Sequence, residues 1–119
     1  MNITSGNMEL LSRVLSVASM RHDVIAQNIA NVNTPGFHTL QVNFEEALRE
    51  AMDAGNAGSL HTLSPQITLG AGGVERVDGN NVDIDQEVNR LQKNTLLFKV
   101  YTQLMATQIA QYRSAISGH

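Results

Sequence analysis

The chain predicts a mainly α fold: two long terminal helices paired as an antiparallel coiled coil, joined by a short helix and an irregular or weak β-hairpin middle. Three observations lead there. Apolar residues recur at alternating steps of three and four near both ends, as on the seam of a coiled coil. Six of the nine glycines fall between residues 54 and 81. Aromatics make up only 4% of the 119 residues and there is no Trp, which suits a narrow seam better than a thick globular core. The expected division is a helix over 1–34, a turn, short helix and flexible Gly-rich segment over 35–81, and a helix over 82–119, all in one domain.

In the first helix the seam reads Met8, Leu11, Leu15, Ala18, His22, Ile25, Ile29, Val32, with only His22 polar. A helix over 7–33 would be about 40 Å long. It should stop before Pro35, which cannot continue a helix and disfavours helical backbone at Thr34. Gly36 accepts the positive φ of a type II turn, and asparagines before the turn supply amides where the helix leaves its last carbonyls unpaired.

Beyond the turn, Asn43 with Glu46 three positions on has capping-box spacing. It predicts a short helix whose face is Phe44, Ala47, Leu48 and Met52. Ile67 and Leu69 alternate with polar neighbours, and with Val74 and Val77 they suggest a hairpin turning at Gly72-Gly73. A segment so rich in glycine reads as flexible or ordered by partners. The tripeptide His-Thr-Leu at 38–40 and 61–63 is a chance recurrence.

The last helix opens at Asp83, an N-cap, with Asp85 and Glu87 placing negative charge in its first turn. Its seam runs Ile84, Val88, Leu91, Thr95, Phe98, Thr102, Met105, Ile109, Tyr112, Ile116, and Gly118 ends it. After Glu87 its charges are all basic, which suits the helix dipole. Leu97, Tyr101 and Leu104 lie beside this seam and widen it. A wider stripe fits either a second packing neighbour or broader contact with the middle segment.

Chemistry is hard to place. Formal charge is −3 with signs interspersed, so no nucleic-acid footprint is present. There is no Cys, which excludes disulfides and thiolate sites. The four histidines lack metal-binding spacing. The run Asp78-Gly79-Asn80-Asn81-Val82-Asp83 begins like a calcium loop but has Val82 and Asn89 where ligands are required. Gly70-Ala71-Gly72-Gly73 has no following Lys for a phosphate loop. No catalytic, cofactor or metal site is expected. Residues Met1–Gly6 lack the pattern of a cleavable secretory signal, and no apolar run approaches the roughly 20 residues of a membrane helix.

The segment Asn28-Ile29-Ala30-Asn31-Val32-Asn33-Thr34-Pro35-Gly36-Phe37 resembles the N-terminal signature of bacterial flagellar rod and hook proteins. Its family-motif residues are Asn28, Asn31, Thr34, Pro35, Gly36 and Phe37. The run Asp78–Glu87, followed by Lys93-Asn94 and a helix to the end, is similar to the proximal rod type. The resemblance implies a structural subunit of the flagellar basal body, packing helically into a tube that crosses the periplasm and transmits torque to the hook. It implies other copies, other rod proteins, the membrane ring and the flagellar type III export apparatus as partners. It also implies export without a cleaved signal and no small-molecule substrate. Within one subunit, Leu11, Leu15, Ile25, Ile29, Leu91, Phe98, Met105 and Ile109 would form the seam. Leu97, Tyr101 and Leu104, with the Pro35-Gly36 turn, would meet neighbours. The alternatives are another proximal rod subunit of the same family, or a soluble helical adaptor or export chaperone.

Overall fold

The periodic ends do form long helices. In a computed structural model, which describes residues 2–55 and 62–118, the order is α1 (Asn2–Ala30), β1 (Leu40–Asn43), α2 (Glu45–Asp53), β2 (Gln66–Leu69) and α3 (Ile84–Ser117). The molecule measures 64 × 30 × 15 Å. Its long dimension is set by α3, whose 34 residues span about 51 Å at 1.5 Å per residue. α1 packs antiparallel along it: Asn28 of α1 meets Glu87 early in α3, while Ala18 meets Asn94 further on.

α1 starts earlier and stops earlier than the predicted 7–33. Its last turn tightens into i→i+3 bonds, Val32 N–H to Ile29 O (3.2 Å) and Thr34 N–H to Asn31 O (3.0 Å). With Pro35 restricting Thr34, the chain leaves the helix a turn before the proline instead of running up to it.

α1 also has two buried rows where the sequence reading followed one. Ala18 and Ile25 belong to the predicted row. Val17 and Val24 belong to a second that meets Val42 and Phe44, with Val14, Met20, Leu40, Leu48 and Leu63 around them. This cluster is the hydrophobic core. His22, expected on the seam, is exposed.

Two local expectations are corrected. α2 is capped by Phe44 and not Asn43, and no side-chain bond closes the cap. Asn43 instead ends β1 and donates its amide to Thr68 Oγ1 at 2.6 Å. Burying Phe44 in the core takes precedence over the capping geometry, and Glu45 and Glu46 still supply negative charge at the helix start. Met52, placed on the predicted inner face of this helix, is exposed.

The hairpin is the second correction. The Ile67/Leu69 strand exists, but it pairs antiparallel with β1, Leu40 opposite Leu69 and Val42 opposite Ile67. Gly72-Gly73 makes no hairpin turn. Gly73 N–H and Arg76 N–H are engaged with Asn81 O and Asn80 O, both at 2.8 Å. Asn81 O lies only 2.4 Å from where a Cβ on Gly72 would sit, so no side chain fits there. Val74 and Val77 consequently stand in solvent.

Arg21 of α1 grips the β1–α2 corner, donating to both carboxylate oxygens of Glu45 and to Val42 O. Partial burial pushes the Glu45 carboxyl up, but hydrogen bonds from Arg21 and the backbone, with the Arg21 charge, outweigh this and hold it below the ordinary 4.5. A lowered folded-state value means the contribution is present above the unfolded value and lost as pH falls through the folded one. In urea titrations, the stability gap between the parent chain and Arg21→Met should therefore narrow as pH drops below about 4.5, the ordinary value in the unfolded chain. A gap that stays constant to low pH would remove the ion pair as its source.

Candidate functional site

The two stretches singled out by their motifs, 28–37 and 78–87, fold against each other. The turn after α1 closes with Phe37 N–H on Thr34 O at 3.2 Å, and Gly36 sits at φ 76°. This is the type II arrangement, with Pro35 and Gly36 at its centre. Gly36 N–H then bonds Asp78 O at 2.8 Å, and Asn81 N–H bonds Phe37 O at 3.3 Å. Gly36 has nothing within 4 Å of a built Cβ, so Gly36→Ala should cost only the positive-φ penalty, about 1–2 kcal/mol. A urea denaturation midpoint unchanged by that substitution would show that the turn relaxes freely.

Asn80 is the peg of this junction. It is fully buried. Its Nδ2 donates to Asn31 O (2.9 Å) and Thr34 O (2.8 Å), carbonyls just past the end of α1 that also accept Thr34 N–H and Phe37 N–H. Its Oδ1 accepts Val82 N–H at 2.7 Å, and its own N–H bonds Asp78 Oδ1. Asn81 Oδ1 accepts Thr39 N–H at 2.7 Å. Arg76 reaches across to Val32 O and Val82 O, joining the two stretches from outside. Asp83 caps α3 as its sequence suggests, accepting from Asp85 and Gln86 N–H.

Motif residue Asn28 lies one layer deeper. Its Oδ1 accepts Leu40 N–H (3.0 Å) and its Nδ2 donates to Leu40 O (2.9 Å), the pairing a neighbouring strand would make. The same Nδ2 donates to Glu87 Oε2 at 3.0 Å, while Arg90 Nη1 serves Glu87 Oε1 at 2.5 Å. One asparagine thus joins α1, β1 and α3. Asn31 is more local: its Nδ2 bonds Gln27 O within α1, and its Oδ1 accepts the Thr34 hydroxyl.

Other expected residues are more scattered. Ile25 is buried, and Leu11, Leu15, Ile29, Leu91 and Met105 are half-buried. Phe98 and Ile109 are largely exposed, at 41% and 39%. Leu97 and Tyr101 are half-buried, and Leu97 lines a cleft of roughly 320 Å³ with Val24, Ile25 and Leu40. Leu104 is 48% exposed. In the sequence Asn80, Asn81 and Asn94 are visible only as members of the family-like runs, Glu87 also as first-turn charge, and Arg76 carries no signal. The contacts of all five follow from the fold.

The Asn28 and Asn80 side chains of the junction are engaged with other parts of the chain, while the buried Thr39 hydroxyl has no hydrogen-bond partner. Among the described residues no cluster of three or more His, Asp or Glu could hold a metal. No helix among them is long and apolar enough to cross a membrane. The arrangement holds distant segments of the chain together.

Comparison with known proteins agrees with the motif positions. Residues 8–38, which end at the junction, match the family described as flagella basal body rod protein. The flagellar basal body rod protein FlgB of Borrelia hermsii is 34% identical over 124 residues, covering 89% of this chain and 92% of the relative. FlgB of Aeromonas hydrophila is 33% identical, with 87% of each chain covered. FlgB of Bacillus subtilis (strain 168) is 27% identical across 99% of this chain and 98% of its own. With relatives 34% and 33% identical over 89% and 87% of its length, the chain belongs to the FlgB family of flagellar basal body rod proteins.

Proposed function

We propose that the chain is a structural subunit of the proximal rod, working by shape and packing and without catalysis. The observation that carries this reading is the contrast between junction and helix. The junction turns the Asn28 and Asn80 side chains inward onto the chain's own groups, whereas α3 leaves Phe98, Leu104, Ile109, Tyr112 and Ile116 exposed over its outer half. Apolar residues recurring at helical spacing on an exposed helix call for further helices. Contacts between unlike faces of successive subunits would generate an open helical filament instead of a closed ring dimer. Such a filament, built from other copies and other rod proteins on the membrane ring, would carry torque toward the hook. Its subunits would leave through the flagellar type III apparatus without a cleaved signal.

In this reading Leu11, Leu15, Ile25, Ile29, Leu91 and Met105 hold α1 to α3 within the subunit. Leu104 meets a neighbour, joined by Phe98 and Ile109 from the predicted seam. Leu97 and Tyr101 serve both contacts at their shared edge. Leu104→Glu should leave the isolated chain's stability within about 0.5 kcal/mol, as for other surface substitutions, yet block rod assembly and motility. Basal bodies of normal length by electron microscopy in that strain would overturn the interface role. Deleting the coding region should leave basal bodies that stop before the rod, and intact rods would overturn the subunit assignment itself.

A further inference from the structure

α3 lies on α1 with a polar row at the centre of the contact. Its spacing offers an apolar stripe of two adjacent rows, Val88-Thr95-Thr102-Ile109 and Leu91-Phe98-Met105-Tyr112. A helix pair formed by apolar burial alone would centre on that stripe. Instead the centre of contact is the row Glu87-Asn94-Tyr101-Gln108, polar at each heptad step. Glu87 and Asn94 are the two fully buried residues of the helix, at 0% and 5% exposure, and Tyr101 and Gln108 are half-buried. Val88 is 39% exposed and Thr95 and Thr102 lie in solvent. The half-buried Leu91 and Met105 flank this row on one side, and the Val88-Thr95-Thr102-Ile109 row beyond them is turned outward.

Directional bonds hold it there. Glu87 has a donor on each carboxylate oxygen, Asn28 Nδ2 at 3.0 Å and Arg90 Nη1 at 2.5 Å. Asn94 Nδ2 donates to Ala18 O at 2.8 Å. Rolling α3 away would break the two bonds to α1 and leave a buried Glu87 oxygen without its Asn28 donor, because the Asn28 amide is kept in place on Leu40 of β1. Buried polar groups of this kind cost stability and give orientation in return. We infer that Glu87 and Asn94 are positioning residues that set the rotation of α3 about its own axis, keeping the Val88-Thr95-Thr102-Ile109 row turned outward.

The outward row is prepared for a helix. Thr95 and Thr102 bond their hydroxyls back to Leu91 O and Phe98 O, both at 2.8 Å, so neither needs water or a partner. A helix of a neighbouring subunit would be its occupant in an assembled rod. That use rests on the rod reading above, whereas the rotation rests on the subunit's own contacts.

The chain has no cysteine, so single introduced thiols report exposure cleanly. Thr102→Cys and Tyr101→Cys are adjacent on the outer and inner rows, and both are a full heptad or nearly so from the anchors. In the parent chain maleimide should modify the cysteine at 102 several-fold faster than the one at 101. Adding Glu87→Ala and Asn94→Ala together should slow position 102 and speed position 101. Glu87→Gln, which retains an oxygen for the Asn28 amide, should leave the parent order. Unchanged rates with both anchors removed would overturn the inference. So would acceleration at both positions, because the anchors would then support the fold without setting its rotation. A loss of rod assembly with no change in these rates would count against the rotation and leave the rod reading standing.

Discussion

Asn80→Ala should unfold in urea with a loss of about 3 kcal/mol, one of the two largest effects expected of a single substitution in this chain. The side chain makes three hydrogen bonds in a fully buried position. Each is worth on the order of 1 kcal/mol, and removing a partner leaves the remaining buried groups unsatisfied. Here the Val82 N–H loses its acceptor, while the Asn31 and Thr34 carbonyls each lose one of two donors and keep a backbone N–H. Asn80→Asp should cost at least as much although its size is unchanged. A carboxylate oxygen would then face two carbonyl oxygens that now receive an N–H. If Asn80→Ala shifts stability by less than about 0.5 kcal/mol, as an ordinary surface change does, the docking of 78–82 against the turn does not hold the two helices at their junction.

That prediction bears on what the motif turn is for. Pro35 and Gly36 bend the chain out of α1, but bending alone does not fix a direction. The direction comes from Gly36 N–H on Asp78 O and from Asn80 on the Asn31 and Thr34 carbonyls just past α1. The turn and the segment before α3 are one unit built from two distant stretches of sequence. A substitution in either should therefore disturb both helices' relative placement, and double variants across it should be non-additive.

The legible parts of this fold were those governed by neighbours in sequence. The Pro35-Gly36 turn, the Asp83 cap and the stop at Gly118 depend on local backbone rules, and each stands where its residues place it. The helices themselves followed from periodicity. What stayed hidden was settled by contacts across the chain. Ile67 and Leu69 show that a strand is present but carry no signal for its partner, since Val42 and Val74 are equally good candidates by composition. Asn43 is a fair cap by type, yet the burial of Phe44 moved the helix start past it. Glu87 and Asn94 look like solvated helix positions, and only the meeting with Asn28 and the Ala18 carbonyl makes them interior. The second row of α1 was readable in Val14, Val17 and Val24, but a single-seam reading passed over it.

Phe44→Ala is the other large effect, and it tests how the middle segment is tied to the helices. Phe44 is 2% exposed and is the one aromatic in a core whose other fully buried members are Val17, Val24 and Val42. Truncating a buried Phe costs about 3–5 kcal/mol, through lost transfer energy and the cavity left behind. Domains commonly have only 5–15 kcal/mol in total, and this core is small. The loss should not fall evenly. The Asn80 junction and the α1–α3 contacts near Asn94 do not involve Phe44, whereas β1 and α2 rest on it through Val42 and Leu48. Amide exchange should consequently accelerate most in β1, β2 and α2, with Asn80 and its partners retaining more protection. Uniform acceleration across both helices and the middle would show that a single cooperative unit spans the chain. In that case the sheet and short helix brace the helix pair as much as the junction does.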